Sequence, residues 1–157
     1  MQIAGVTLNS KRAIWTFLLA YVAITILGTA LSMGIAAVEH TPPTTEPLQN
    51  SAYLLSERFL PFLNLLVWMA GSWLYFKNFP EGHFMATESV ALGTFWLVVA
   101  LPLDFVAFVV VKTPLSLNPH DFYVGQFPWI YLIYGAVFVS PLCYIGVSRI
   151  MGGGRCR

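Results

Sequence analysis

The sequence predicts an all-α integral membrane protein: four transmembrane helices packed as an antiparallel bundle, with the N- and C-termini cytoplasmic. Three observations point there. The chain is 57% hydrophobic and only 10% charged, where an ordinary soluble domain is about a quarter charged. Four apolar runs have the length, roughly 20 residues at 1.5 Å rise each, that a helix needs to cross the hydrocarbon core. The basic residues flanking those runs collect on one side. The 157 residues form a single domain, 1–157, with no room for a second.

The first run covers about 13–38, between Lys11-Arg12 and Glu39-His40. A basic start, an apolar run and the small residues Gly34, Ala36 and Ala37 also outline a signal peptide. Signal cores span about 7 to 15 residues, and this run is about 25, which favours a retained span. The second run, about 59–76, lies between Glu57-Arg58 and Lys77. The third, about 89–111, lies between Glu88 and Lys112, and the fourth, about 127–150, closes on Arg149 and the tail GGGRCR.

An even number of spans puts both termini on one side. That side collects Lys11, Arg12, Lys77, Arg149, Arg155 and Arg157, against Arg58 and Lys112 on the other. Lys and Arg beside helix ends are retained in the cytoplasm, so the termini point inward. The outer side holds Glu39, Glu46, Glu57 and Asp121. The expected location is a bacterial or archaeal inner membrane.

The connections differ in kind. The first outer loop contains HTPPTTEP, too rich in proline for a helix, followed by SAYLLSE, which suits a short interfacial helix leading into the second span. The inner loop KNFPEGHFMATE breaks at Pro80 and Gly82. The second outer loop, KTPLSLNPHDFYVGQ, carries Phe122 and Tyr123 for the headgroup belt. Residues 16–23 faintly resemble 94–101, and Leu60-Pro61-Phe62 opens the second span much as Phe127-Pro128-Trp129 opens the fourth. Two parallel hairpins are conceivable on that basis, although apolar sequences also match by chance.

Asp104 is the most informative residue, a carboxylate inside the third span about 12 Å below Lys112 by helical rise. Such a group costs at least ~2.5 kcal/mol on insertion scales unless paired, hydrated or protonated. Pro102 beside it removes a backbone hydrogen bond and predicts a kink. By depth, Asn64, Thr29, Ser32, Tyr131 and Tyr134 share a layer with Asp104 and form a candidate polar site in the outer half of the bundle, or else interhelical glue worth about 1 kcal/mol per bond. Thr25, Gly28, Thr29, Ser32 and Ala36 line one face of the first helix as a stripe of small residues, suited to internal packing more than to a dimer seam. Above the layer, His40, Glu39, Glu57, Arg58, His120 and Asp121 form a candidate mouth. Their spacing fits no metal-binding pattern, and His40 and His120 lie at span ends, away from where a haem would sit. No metal and no cofactor is expected. Glu88 reads as the first-turn acid of the third helix, favoured by the helix dipole. Trp68, Trp73, Tyr75, Trp96 and Trp129 suit belts and packing.

Several function classes are excluded or disfavoured. A net charge of +1 with no basic stripe argues against nucleic acid. Cys143 and Cys156 cannot build a disulfide framework and lack the spacing of a four-helix thiol oxidase. No hydrolase elbow, phosphate loop or Asn-x-x-Asp-Arg arrangement of a lipoprotein signal peptidase is present. Three readings compete: a small transport-type protein or accessory transporter subunit using the layer around Asp104; an assembly, anchoring or regulatory protein; and a membrane enzyme at the outer leaflet. The residues favour the first and a non-enzymatic role. Expected partners are the lipid bilayer and either a second copy or a larger membrane protein.

Overall fold

Asn9 and Asn50 decide where the first two helices begin. In a computed structural model, which describes residues 2–3, 6–41, 48, 50–77, 85–111 and 116–151, the Asn9 side chain accepts the Arg12 N–H at 3.2 Å and opens α1, Ser10–Glu39. His40 ends it in the left-handed conformation, φ 51°. The Asn50 side chain accepts the N–H groups of Ala52 and Tyr53 and opens α2, Ser51–Phe76. These caps satisfy donors that the first turn leaves without intrahelical partners. The second helix therefore starts some two turns before its apolar run does. SAYLLSE is its first part, and Pro61 lies inside the helix, away from its first turn.

Helix α3, Met85–Phe105, contains Pro102 and passes into a π-helical turn, Val106–Val110. Proline lacks the N–H that would bond to the carbonyl of Val98, and wide turns of this kind often follow such a break or mark a functional site. Asn118 caps a short helical stretch through the Asp121 N–H at 2.8 Å, and α4 follows at Trp129–Met151. Before α1, a two-residue strand pair sets β1, Gln2–Ile3, against β2, Val6–Thr7. The described remainder is helix, turn or irregular. All four helices are long and apolar enough to cross a membrane.

Helices adjacent in sequence run antiparallel. Arg12 reaches the carbonyl of Leu74 at 2.7 Å at one end of the α1–α2 pair, and Ser32 bonds Ser56 at 2.9 Å towards the other. The parallel pair α2 and α4 forms the centre, flanked by α1 on α2 and α3 on α4. Gly93 makes the α3–α4 crossing possible, because a Cβ there would lie 2.2 Å from the carbonyl oxygen of Phe138.

The bundle is apolar outside and partly polar inside. Trp15, Ile26, Met33, Phe62, Leu66, Val98 and Phe127 are exposed, while Ser56, Glu57, Asn64, Ser72, Glu88, Ser89, Gln126 and Ser140 are buried. Contiguous apolar surface on this scale is foreign to a water-soluble monomer. It is what a lipid-facing bundle needs, since lipid offers polar groups no partners.

The core sits towards the end that carries the termini. Phe17, Trp68 and Trp96 pack at centroid distances of 5.4 and 5.1 Å, and Phe76 stacks on Tyr144 at 6.0 Å. Three buried bonds tie this end together: Trp68 Nε1 donates to Asn64 Oδ1, Trp96 Nε1 to the Ala13 carbonyl, and Tyr75 Oη to Glu88 Oε1. This aromatic layer closes the bundle at the terminal end. Expectations resting on Glu46, Pro80, Gly82, Lys112, Arg155, Cys156 and Arg157 lie outside the described residues.

Candidate functional site

Beyond the aromatic layer the bundle opens into a cavity of about 250 Å³. Helix α1 contributes Tyr21, Thr25, Gly28, Thr29 and Ser32, and α2 contributes Tyr53, Glu57, Leu60 and Asn64. Asp104 and Phe108 come from α3 and its π turn, and Phe122, Gln126, Trp129 and Tyr134 from the chain around the start of α4. Local sequence explains the α1 wall. The hydroxyls of Thr25 and Thr29 are turned back to the carbonyls of Tyr21 and Thr25, both at 2.8 Å, so what they add to the wall is mainly methyl. Gly28 lets Leu60 approach, where an added Cβ would lie 3.2 Å from Leu60 Cδ2.

Two carboxyl groups line this space at different depths. Asp104 Oδ1 accepts the Tyr21 hydroxyl at 2.7 Å, and the hydroxyl of Tyr134 faces the same carboxyl. Glu57 lies towards the opposite end from the termini, beside Tyr53 and Gln126. The Gln126 amide donates to the Tyr53 hydroxyl. About 16 Å of α1 separates Tyr21, which holds Asp104, from Ser32, which holds Ser56 next to Glu57.

Glu57 is 3% exposed, Gln126 8% and Tyr134 7%. Even so, Glu57 Oε1 and Gln126 Oε1 have no hydrogen-bond partner among the described residues. Leaving a buried polar atom unmade costs about 1–3 kcal/mol. No lysine, arginine or histidine lines the cavity among the described residues.

The cavity is open on one side. Helices α1 and α3 meet towards the terminal end, through Trp96 to Ala13 and Tyr21 to Asp104, with little contact between them elsewhere. Thr25 and Thr29 line the cavity and are nevertheless exposed. The gap between α1 and α3 therefore faces the exposed, largely apolar outer surface of the bundle.

The sequence-derived polar layer divides in the structure. Asp104, Asn64, Ser32, Thr29 and Tyr134 all line the cavity. The Asn64 amide is engaged on its own helix, donating to the Leu60 carbonyl at 2.9 Å and accepting from Trp68 at 3.1 Å. Tyr131 is absent from the lining. It lies on the outer face, 52% exposed and edge-on to Phe127.

The candidate mouth does not converge. Glu39 bonds Ser51 at 3.0 Å and ties the end of α1 to the start of α2. His40 and Arg58 are exposed. His120, 76% exposed, lies 3.4 Å from Asp121, whose other oxygen accepts from Asn118 at 2.7 Å. Glu57 alone of that group turns into the cavity. Among the described residues no three His, Cys, Asp or Glu side chains gather as metal ligands.

Sequence reasoning does not assign Tyr21, Tyr53, Phe122, Gln126 or Trp129 to a site. A tyrosine or tryptophan near a span end reads as a belt residue. Only the placement of α1 against α3, and of α2 against α4, brings these side chains together. Comparison of the chain with models of known protein families, with curated proteins and with solved structures finds no match.

Proposed function

We propose that this chain is a small transport-type membrane protein, or an accessory subunit of a transporter, spanning a bacterial or archaeal inner membrane with both termini cytoplasmic. Its site is the cavity between α1 and α3. One observation carries this reading: two carboxyl groups, Asp104 and Glu57, line one side-open cavity into which no basic side chain reaches among the described residues. An ionisable residue within a membrane is costly, and where it faces a cavity it marks a path for ions, protons or substrate. Glue between helices would engage all its polar atoms, whereas Glu57 Oε1 and Gln126 Oε1 are left without partners among the described residues.

The assembly or anchoring reading has one observation in its favour, the direct cross-helix bonds Tyr21–Asp104 and Ser32–Ser56. The enzymatic reading has less, because the groups it needs, His40, His120 and Asp121, stand apart at the surface.

Native mass spectrometry of the chain, extracted from its own membrane into lipid nanodiscs, separates these readings. A small ligand or a transporter partner that is lost in Asp104→Asn or Glu57→Gln supports the proposal. Occupancy and partners unchanged in both variants would reduce the two carboxyl groups to packing elements.

A further inference from the structure

Resting on the transport reading, we infer a ligand class: the cavity binds a lipophilic organic cation, an ammonium head on an apolar or aromatic body, which enters sideways between α1 and α3 from the surrounding lipid. Charge is the first argument. The lining holds Asp104 and Glu57 without a basic residue among those described, and its partnerless buried atoms include two acceptors, Glu57 Oε1 and Gln126 Oε1. A ligand that supplies positive charge or N–H donors completes these groups, whereas an anion would add to their burden.

The walls supply the second argument. Tyr21, Phe108, Phe122 and Trp129 bring aromatic rings to the lining, interleaved with Ile24, Leu60, Ile130 and Ile133. Aromatic faces attract cations, and desolvated quaternary ammonium groups most of all. The aliphatic residues suit the apolar body of the same ligand.

An inorganic cation fits less well. A calcium-like ion takes six to eight oxygen ligands, and magnesium demands near-ideal octahedral geometry. The two carboxyl groups belong to levels about 16 Å apart along α1, and no set of three acidic or histidine ligands forms among the described residues. Two separated carboxyl groups in an apolar wall act instead as two stations for one charge on a bulky carrier, Glu57 towards the end opposite the termini and Asp104 nearer the aromatic layer.

Size and entry agree. A cavity of about 250 Å³ is of the size that a small organic molecule fills. The exposed threonine methyls of α1 give an amphiphile a path from lipid without crossing water.

The test is calorimetric titration of benzyltrimethylammonium into the full chain in nanodiscs, with empty nanodiscs subtracted. Neopentylbenzene, the same shape with carbon in place of nitrogen, is titrated in parallel. The expected result is saturable binding of the cation alone, weakened at least ten-fold in Glu57→Gln and in Asp104→Asn. Equal binding of the neutral isostere overturns the inference, and because it is read on the unaltered chain it does not depend on the variants folding. Displacement of the cation by millimolar sodium or magnesium chloride would install an inorganic ion and likewise overturn it. If benzyltrimethylammonium fails to bind while native mass spectrometry finds a carboxyl-dependent ligand, the ligand class falls alone. If the two substitutions change neither readout, the transport reading falls with it.

Discussion

Tyr21 and Tyr75 make the same kind of bond in different surroundings, and the difference fixes what each is worth. Tyr75 donates to Glu88 at 2.6 Å and also accepts the Asn9 N–H at 3.2 Å, and both Tyr75 and Glu88 are 0% exposed. Tyr21 donates to Asp104 at 2.7 Å but borders the open cavity. A fully buried bond to a carboxyl group, once broken, leaves atoms with no solvent to turn to. Tyr75→Phe should therefore cost about 1.5–3 kcal/mol of stability, and Tyr21→Phe less than about 1 kcal/mol. Reversible unfolding in mixed micelles measures both, and the reverse ranking would contradict the assignment of Tyr75 to the closed end and Tyr21 to the cavity. Legibility in the sequence follows the same line. Asp104 is conspicuous because a carboxylate inside an apolar run has few innocent explanations. Tyr21 is not, because an isolated tyrosine in such a run has several, and its partner is set by how α1 lies along α3.

At the scale of elements, helix ends and crossings matter most. In the sequence Glu57 reads as part of a mouth because the apolar run begins after it. The Asn50 cap moves the start of α2 to Ser51, which puts Glu57 almost two turns into the helix and on its inner face. Asn50→Ala should cost about 1 kcal/mol, the usual worth of such a cap, and should raise amide exchange at Ala52 and Tyr53 ahead of the rest of α2. The glycines give a sharper contrast. Gly93→Ala places a methyl 2.2 Å from the Phe138 carbonyl, so α3 and α4 must separate, at a cost of about 1–3 kcal/mol. Gly34 and Gly146 have nothing within 4 Å of where an added Cβ would sit, and alanine there should be neutral or stabilise by about 0.5–1 kcal/mol, as it does in helix interiors. Equal thermal shifts for the three substitutions would refute the close crossing. That four helices form is plain from four long apolar runs. Which glycine carries a crossing is not, since glycine is common in membrane helices whatever its role.

At the scale of the whole molecule, the site is a consequence of asymmetric closure. Aromatic packing and the Tyr75–Glu88 and Trp96–Ala13 bonds seal the end that carries the termini, while Glu57 and the gap between α1 and α3 leave the opposite part open. The direction in which the cavity opens is therefore tied to topology. On the proposed topology six basic residues, Lys11, Arg12, Lys77, Arg149, Arg155 and Arg157, fall on the terminal side against Arg58 and Lys112 on the other, an excess that puts the termini in the cytoplasm and the Glu57 station outward. A membrane-impermeant thiol reagent tests this. Cys156 should react only after the cells are opened. Cys143, half-buried within α4, should stay protected throughout. In a chain with both replaced by serine, His120→Cys, at a position 76% exposed before the start of α4, should react in intact cells. The opposite pattern would turn the molecule over, and the lipophilic cation would then enter from the cytoplasmic leaflet, with Glu57 as its first station on that side.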